Sequence, residues 1–166
     1  MDKEMMIPKV SEIIVKNVIA FHADHSTSDV VRVFNEHRIS SAPVINESSE
    51  VVGFISESDS MKCMGNCLFF DEQRNPTVDS IMSKEVYTAK AEWDIFELDN
   101  FFIERHIRSA PVVDSEGHLM GIVTRRDALL ALQKLLESRS DYKKNLKEPV
   151  KLSMHQKLIM RLNNLS

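Results

Sequence analysis

A chain of 166 residues with 43% apolar content is long enough to bury a core, as one domain or two small ones. No run approaches the roughly 18 uninterrupted apolar residues of a membrane helix. The opening Met1-Asp2-Lys3-Glu4-Met5-Met6 lacks the basic-then-apolar layout of a secretory signal, so the chain reads as cytoplasmic and without a membrane partner. The net charge of −4 is unevenly placed: from Lys134 onward eight Lys or Arg stand against three acidic residues, which leaves −9 on the first 133.

The first element is a short helical segment over residues 10–15, followed by a brief strand at 18–21. Ser26-Thr27-Ser28-Asp29 then opens a helix with a capping residue three positions before an acid, and Val30, Val31 and Phe34 recur at helical spacing on its buried face. Val44-Ile45 and residues 51–55, joined by the turn-forming Asn46-Glu47-Ser48-Ser49, predict a hairpin, and a last helix starts at about Asp59. Residues 61–77 depart from this order. Gly65, Asn66 and Pro76 punctuate Leu68-Phe69-Phe70-Asp71, a linker whose phenylalanines are expected to pack on the body.

From Val78 the order returns. A helix over 78–82 and a strand at 86–89 precede a helix opened by Asp94-Ile95-Phe96-Glu97, with Leu98, Phe101 and Phe102 on its buried face. Val112-Val113 and residues 119–123 form a hairpin about Asp114-Ser115-Glu116-Gly117, and a helix starts at about Asp127. An offset of 68 residues lays 10–60 on 78–128 without a gap. Ile39-Ser40-Ser41-Ala42-Pro43-Val44 then falls on Ile107-Arg108-Ser109-Ala110-Pro111-Val112, and Gly53 and Asp59 fall on Gly121 and Asp127. The chain divides into repeat 1 (7–64), a linker (65–76), repeat 2 (77–136) and a basic tail (137–166). A unit of about 50 residues buries too little surface alone, so the two copies are expected to share one body.

Where each hairpin meets its last helix the chain reads Gly53-Phe54-Ile55-Ser56-Glu57-Ser58-Asp59 and Gly121-Ile122-Val123-Thr124-Arg125-Arg126-Asp127. A hydroxyl three positions before an Asp at a helix start has two uses. It is a capping box, or it brings a hydroxyl, backbone amides and a carboxylate to one point, where the amides attract phosphate and the carboxylate accepts ribose hydroxyls.

The Ile-x-Ser-Ala-Pro-Val segment followed by Gly-x-x-(Ser/Thr)-x-x-Asp, twice in tandem over residues 7–136, resembles the CBS domain pair, or Bateman module, here as a free-standing protein. The resemblance implies an α+β fold. Two βαββα repeats pack through their sheets with pseudo-twofold symmetry and leave two clefts, with a C-terminal helical tail beyond them. It implies a non-catalytic regulatory module that takes AMP, ADP, ATP or S-adenosylmethionine as a regulatory ligand, with no obligatory cofactor, a homodimer and a protein partner that reads the ligand state. The alternative is a ligand-free dimerisation scaffold in which the Asp residues are only caps.

By the same resemblance, Asp127 and Asp59 hold ribose, and Thr124 and Ser56 contact ribose or phosphate. The base lies against Tyr87-Thr88 or Ile19-Ala20 and against Ile107 or Ile39, and Arg108 and Ser40 face phosphate. The second copy adds Arg125 and Arg126 where the first has Glu57 and Ser58. Because the guanidinium fork binds phosphate in pairs of charge-assisted bonds, the stronger phosphate site is expected at the second motif and a phosphate-poor one at the first.

Other features carry less. Cys63 and Cys67, four apart with no His or Cys partner nearby, fall short of a zinc site and are read as reduced thiols. The six histidines show no shared spacing, no nucleophile grouping appears, and four glycines exclude a P-loop or a dinucleotide fingerprint. In the tail, Met154, Leu158, Leu162 and Leu165 recur at helical spacing among the bases. An amphipathic helix docked on the acidic body or on a second subunit explains that pattern better than nucleic-acid binding.

Overall fold

The computed structural model describes residues 6–70 and 76–138. The elements in order are α1 (Val10–Ile13), α2 (Thr27–His37), β1 (Ser41–Ile45), β2 (Val51–Ser56) and α3 (Glu57–Phe70), then α4 (Val78–Ile81), β3 (Ala89–Lys90), α5 (Ile95–Arg105), β4 (Ser109–Val113), β5 (Leu119–Thr124) and α6 (Arg125–Glu137). This is the expected α+β order, twice. One compact unit ends at Leu135 and a second begins at Leu136. The expected amphipathic tail helix lies, from residue 139 on, outside the described residues.

The local signals act as caps. The Ser26 hydroxyl accepts from the Asp29 amide at the start of α2; at α5 the Asp94 carboxylate accepts from the Phe96 and Glu97 amides while Glu97 accepts from the Asp94 amide. The Ser26 hydroxyl, and after it Arg32, hold the Asp29 carboxyl below the usual carboxylate range; the His118 amide does the same for Asp114 in the second hairpin turn. Both helices end on a left-handed residue that is not glycine, Arg38 and His106, which turns the chain into the next strand.

In each copy the hairpin is antiparallel, Ser41 opposite Ser56 and Ser109 opposite Thr124, with an irregularity after Val44 and after Val112. β3 lies parallel to β4. The expected strand at 18–21 contracts to a single parallel bridge from Phe21 to Val44. The last helices begin two residues earlier than expected, so Ser56 and Thr124 end their strands and cap the helices that follow. α3 runs on through Gly65 and Asn66 to Phe70, into the stretch expected as linker. A glycine inside a helix costs about 1 kcal/mol, small enough for a 14-residue helix, once nucleated, to continue through it. The packing expected of Phe69 and Phe70 lies outside what is described.

The core is in two clusters, and each draws its leading helix from the other copy. Val10, from α1, is buried with Ile95, Leu98, Phe102, Ala110, Val112 and Val123 of the second copy. Val78, from α4, is buried with Phe21, Val30, Phe34, Ala42, Val44 and Ile55 of the first. Backbone pairing fixes the exchange: Val15 and Ile122 bond each other's amide and carbonyl at 2.9 and 3.0 Å, and Ser83 and Phe54 do so at 2.9 Å in both directions. These pairs exchange under the 68-residue offset, as do Val51 N–H to Gly117 O and Leu119 N–H to Ser49 O across the middle of the molecule. Ser41 and Ser109, themselves 68 residues apart, place their hydroxyl oxygens 2.8 Å from one another on the pseudo-twofold axis.

Candidate functional site

At the start of α3, Asp59 Oδ2 accepts from the Ser56 hydroxyl at 2.6 Å and from the Ser56 amide at 3.0 Å, and the Asp59 amide points back at the Ser56 hydroxyl at 3.4 Å. Thr124 and Asp127 repeat this at α6 with 2.6, 2.8 and 3.2 Å. Each motif is therefore a formed cap. In each, the bonds to the carboxylate fall on Oδ2, and Oδ1 takes no part in the cap.

The backbone amides are less open to phosphate than the motif alone suggests. The Glu57 amide donates to Ser40 O and the Arg125 amide to Arg108 O, both at 2.9 Å, because the preceding strand starts beside the helix start. With the Asp59 and Asp127 amides on the hydroxyls, two of the first three amides of each helix are engaged.

A cleft of about 800 Å³ opens at the first motif. Its wall on one side is Ser40, Ser41, Phe54 and the helix start Ser56-Glu57-Ser58-Asp59, continued one turn on by Met61 and Lys62. The opposite wall comes from the second copy: Ser83, Glu85, Val86 and Tyr87, then His106, Ile107, Arg108, Ser109 and Pro111. The Tyr87 ring is backed by the Arg105 guanidinium, 5.0 Å from its centroid, and keeps 37% of its surface exposed. The cleft thus holds a hydrogen-bonding carboxylate, an aromatic face, an apolar Ile107 and an arginine, the small set of polar groups on an apolar frame that suits an organic ligand.

Of the residues expected at a site, Ser56, Asp59, Ser40, Tyr87, Ile107 and Arg108 come together here. Thr124, Asp127, Arg125 and Arg126 do not line this cleft; they stand at the places related to Ser56, Asp59, Glu57 and Ser58 by the 68-residue offset. Ile19 and Ile39 are half-buried against the first core cluster, and Ala20 and Thr88 are half-buried outside this cleft. The expected grouping of Arg108 with Arg125 and Arg126 is not the one this cleft presents. Arg108 lines it with Asp59, and Arg125 is drawn away to donate to Phe102 O at 2.9 Å. The cause is the pseudo-twofold packing, which in this cleft faces the start of α3 with the strand start of the other copy.

Ser83, Glu85, Lys62 and His106 also line the cleft and were not anticipated. Lys62 follows Asp59 by three residues, a helical spacing visible in the sequence; Ser83 and Glu85 arrive only through the exchange of leading segments. Outside the cleft, Cys63 is a free thiol 3.8 Å from the Thr27 hydroxyl, while the Cys67 side chain is outside the described residues. Asp114, Glu116 and His118 lie close together in the second hairpin turn, where Asp114 already accepts the Glu116 and His118 amides. Among the described residues, no helix is long and apolar enough to cross a membrane.

A family model described as the CBS domain matches residues 10–62 and 78–134. Protein MJ1426 of Methanocaldococcus jannaschii is 32% identical over 148 residues, covering 72% of this chain and 88% of that protein. Inosine-5'-monophosphate dehydrogenase of the same organism is 28% identical over 123 residues, 74% of this chain but only 23% of that enzyme, so the likeness reaches a minor part of it. Among solved structures, the CBS domain pair of protein MJ0100, in complex with 5'-methylthioadenosine and S-adenosyl-L-methionine, superposes with a TM-score of 0.68 at 26% identity, covering 78% of this chain and 98% of that one. With two matched regions that coincide with the two halves of the repeat, the chain belongs to the CBS domain family, as a tandem pair.

Proposed function

We propose that this chain is a non-catalytic cytoplasmic regulatory module that senses an adenosyl ligand, either an adenine nucleotide or S-adenosylmethionine, in the clefts between its two repeats. The observation that carries the reading is the composition of the cleft: the Ser56–Asp59 helix start comes from one copy and Tyr87, Ile107 and Arg108 from the other. A ligand held by both walls favours one packing of the copies over another, the differential affinity that any sensor requires. Asp59 offers Oδ1 to ribose hydroxyls while Oδ2 stays on its cap. Tyr87 and Ile107 offer apolar surface to the base, and Arg108 reaches the far end of the ligand. The adenosyl ligands of the MJ0100 pair support this class.

By the 68-residue offset, Thr124 and Asp127 with Ile19, Ala20, Ile39 and Ser40 are the second ligand position in this reading. Its partners are the ligand, a second copy of the chain and a protein that reads the change. The exposed Met61 and Leu68 of α3 and Leu129 of α6 are the contact proposed for the second copy, checked by sedimentation at twice the 19.0 kDa chain mass.

A thermal-shift panel of AMP, ADP, ATP, NAD and S-adenosylmethionine tests the ligand reading. A ligand at a hundred times its Kd adds about 2.7 kcal/mol to folded-state stability, a rise of several degrees. Asp59→Ala lowers that affinity at a cap cost of about 1 kcal/mol. No shift with any of the five at millimolar concentration, together with the stability loss in D59A, leaves the scaffold reading in its place.

A further inference from the structure

We infer that Glu57 and Glu85 impose a charge limit on the cleft at the first motif, so that it accepts an adenosyl ligand with no more than one phosphate and discriminates against di- and triphosphates. This rests on the ligand reading above and adds a selectivity to it.

The fixed charges on the cleft wall are mixed. Glu57, Asp59 and Glu85 face the same space as Lys62 and Arg108, with His106 beside them. Arg108 supplies one planar fork, enough for one phosphate. The help that a helix start gives to further phosphates is reduced here, because the Glu57 amide is held by Ser40 O and the Asp59 amide by the Ser56 hydroxyl. Each additional phosphate then brings charge toward two exposed carboxylates, one on each wall, and among the described lining residues Lys62 is the cation left to offset it. At the places related by the 68-residue offset, Glu57 becomes Arg125, Ser58 becomes Arg126 and Glu85 becomes Asn17, so the limit belongs to this cleft and not to both. Exposure means that salt weakens it: the discrimination is largest at low ionic strength and falls as the Debye length shortens below about 8 Å.

Calorimetric titration of the full chain with AMP and with ATP, in chelator to remove divalent ions, tests this. Asp127→Ala is used to silence the second position. AMP is expected to bind at least about tenfold tighter than ATP in D127A, and E57Q/E85Q in that background is expected to close most of the difference by strengthening ATP while the Kd for AMP moves less than about threefold. Because Asp127 caps α6, the same comparison is made on the unsubstituted chain by following the Ser58 and Tyr87 amide resonances, which report this cleft. ATP binding as tightly as AMP, or a ratio unchanged by E57Q/E85Q, overturns the charge limit and leaves the ligand reading standing. Failure of the unsubstituted chain to bind either nucleotide overturns the charge limit, and the ligand reading falls with it when S-adenosylmethionine also fails to bind.

Discussion

Gly53 and Gly121 occupy equivalent places in β2 and β5, and in each case the exchanged leading segment of the other copy crosses directly over the missing side chain. What lies above them differs. A Cβ at Gly121 would stand 2.8 Å from the backbone oxygen of Val15, whereas one at Gly53 would meet the sulfur of Met82 and the two carbons bonded to it. A methionine side chain can swing aside; a paired backbone carbonyl cannot. Gly121→Ala is therefore expected to cost about 3 kcal/mol and Gly53→Ala about 1 kcal/mol, measured by urea denaturation. Equal costs would show that the crossing is not the reason for glycine. The residues of the motif were legible from sequence, since a hydroxyl, an Asp and a glycine recur at fixed spacing. Which arginine faces which Asp was not legible, because Arg108 and Asp59 are 49 residues apart and meet only across the pseudo-twofold axis.

At the scale of elements, periodicity located α2, α5 and both hairpins, and the caps at Ser26 and Asp94 marked two helix starts within a residue. Gly65 and Asn66 are turn formers by propensity and were read as punctuation, yet α3 continues through both, because a helix already nucleated gains a bond with each added residue. The exchange of α1 and α4 had no signal at all: an apolar face says that Val10 is buried, not by what. Val10→Ala and Val78→Ala are each expected to cost about 2 kcal/mol. Their distinguishing effect is local. Hydrogen exchange in V10A should quicken in α5, β4 and β5 of the second copy, and in V78A in α2, β1 and β2 of the first. Faster exchange within the variant's own repeat alone would contradict the exchanged cores.

At the scale of the molecule, a single number read from the sequence, the offset of 68, reappears as geometry. The Val15–Ile122 pair maps onto Ser83–Phe54, and Ser41 meets Ser109 on the axis. The symmetry of the backbone is close, while the chemistry at the two helix starts is not: Glu57 and Ser58 stand opposite Arg125 and Arg126 in the comparison of copies. A duplicated frame with unequal charges is suited to holding ligands of the same adenosyl class but different charge, and the central claim beneath that is that each ligand position is built by both repeats at once. Amide-resolved NMR titration of the full chain with AMP and with S-adenosylmethionine tests it most directly. The amides of residues 56–59 and those of Tyr87, Ile107 and Arg108 are expected to shift together with one Kd; shifts confined to one repeat, or two walls that titrate with separate Kd values, would contradict a position built by both repeats.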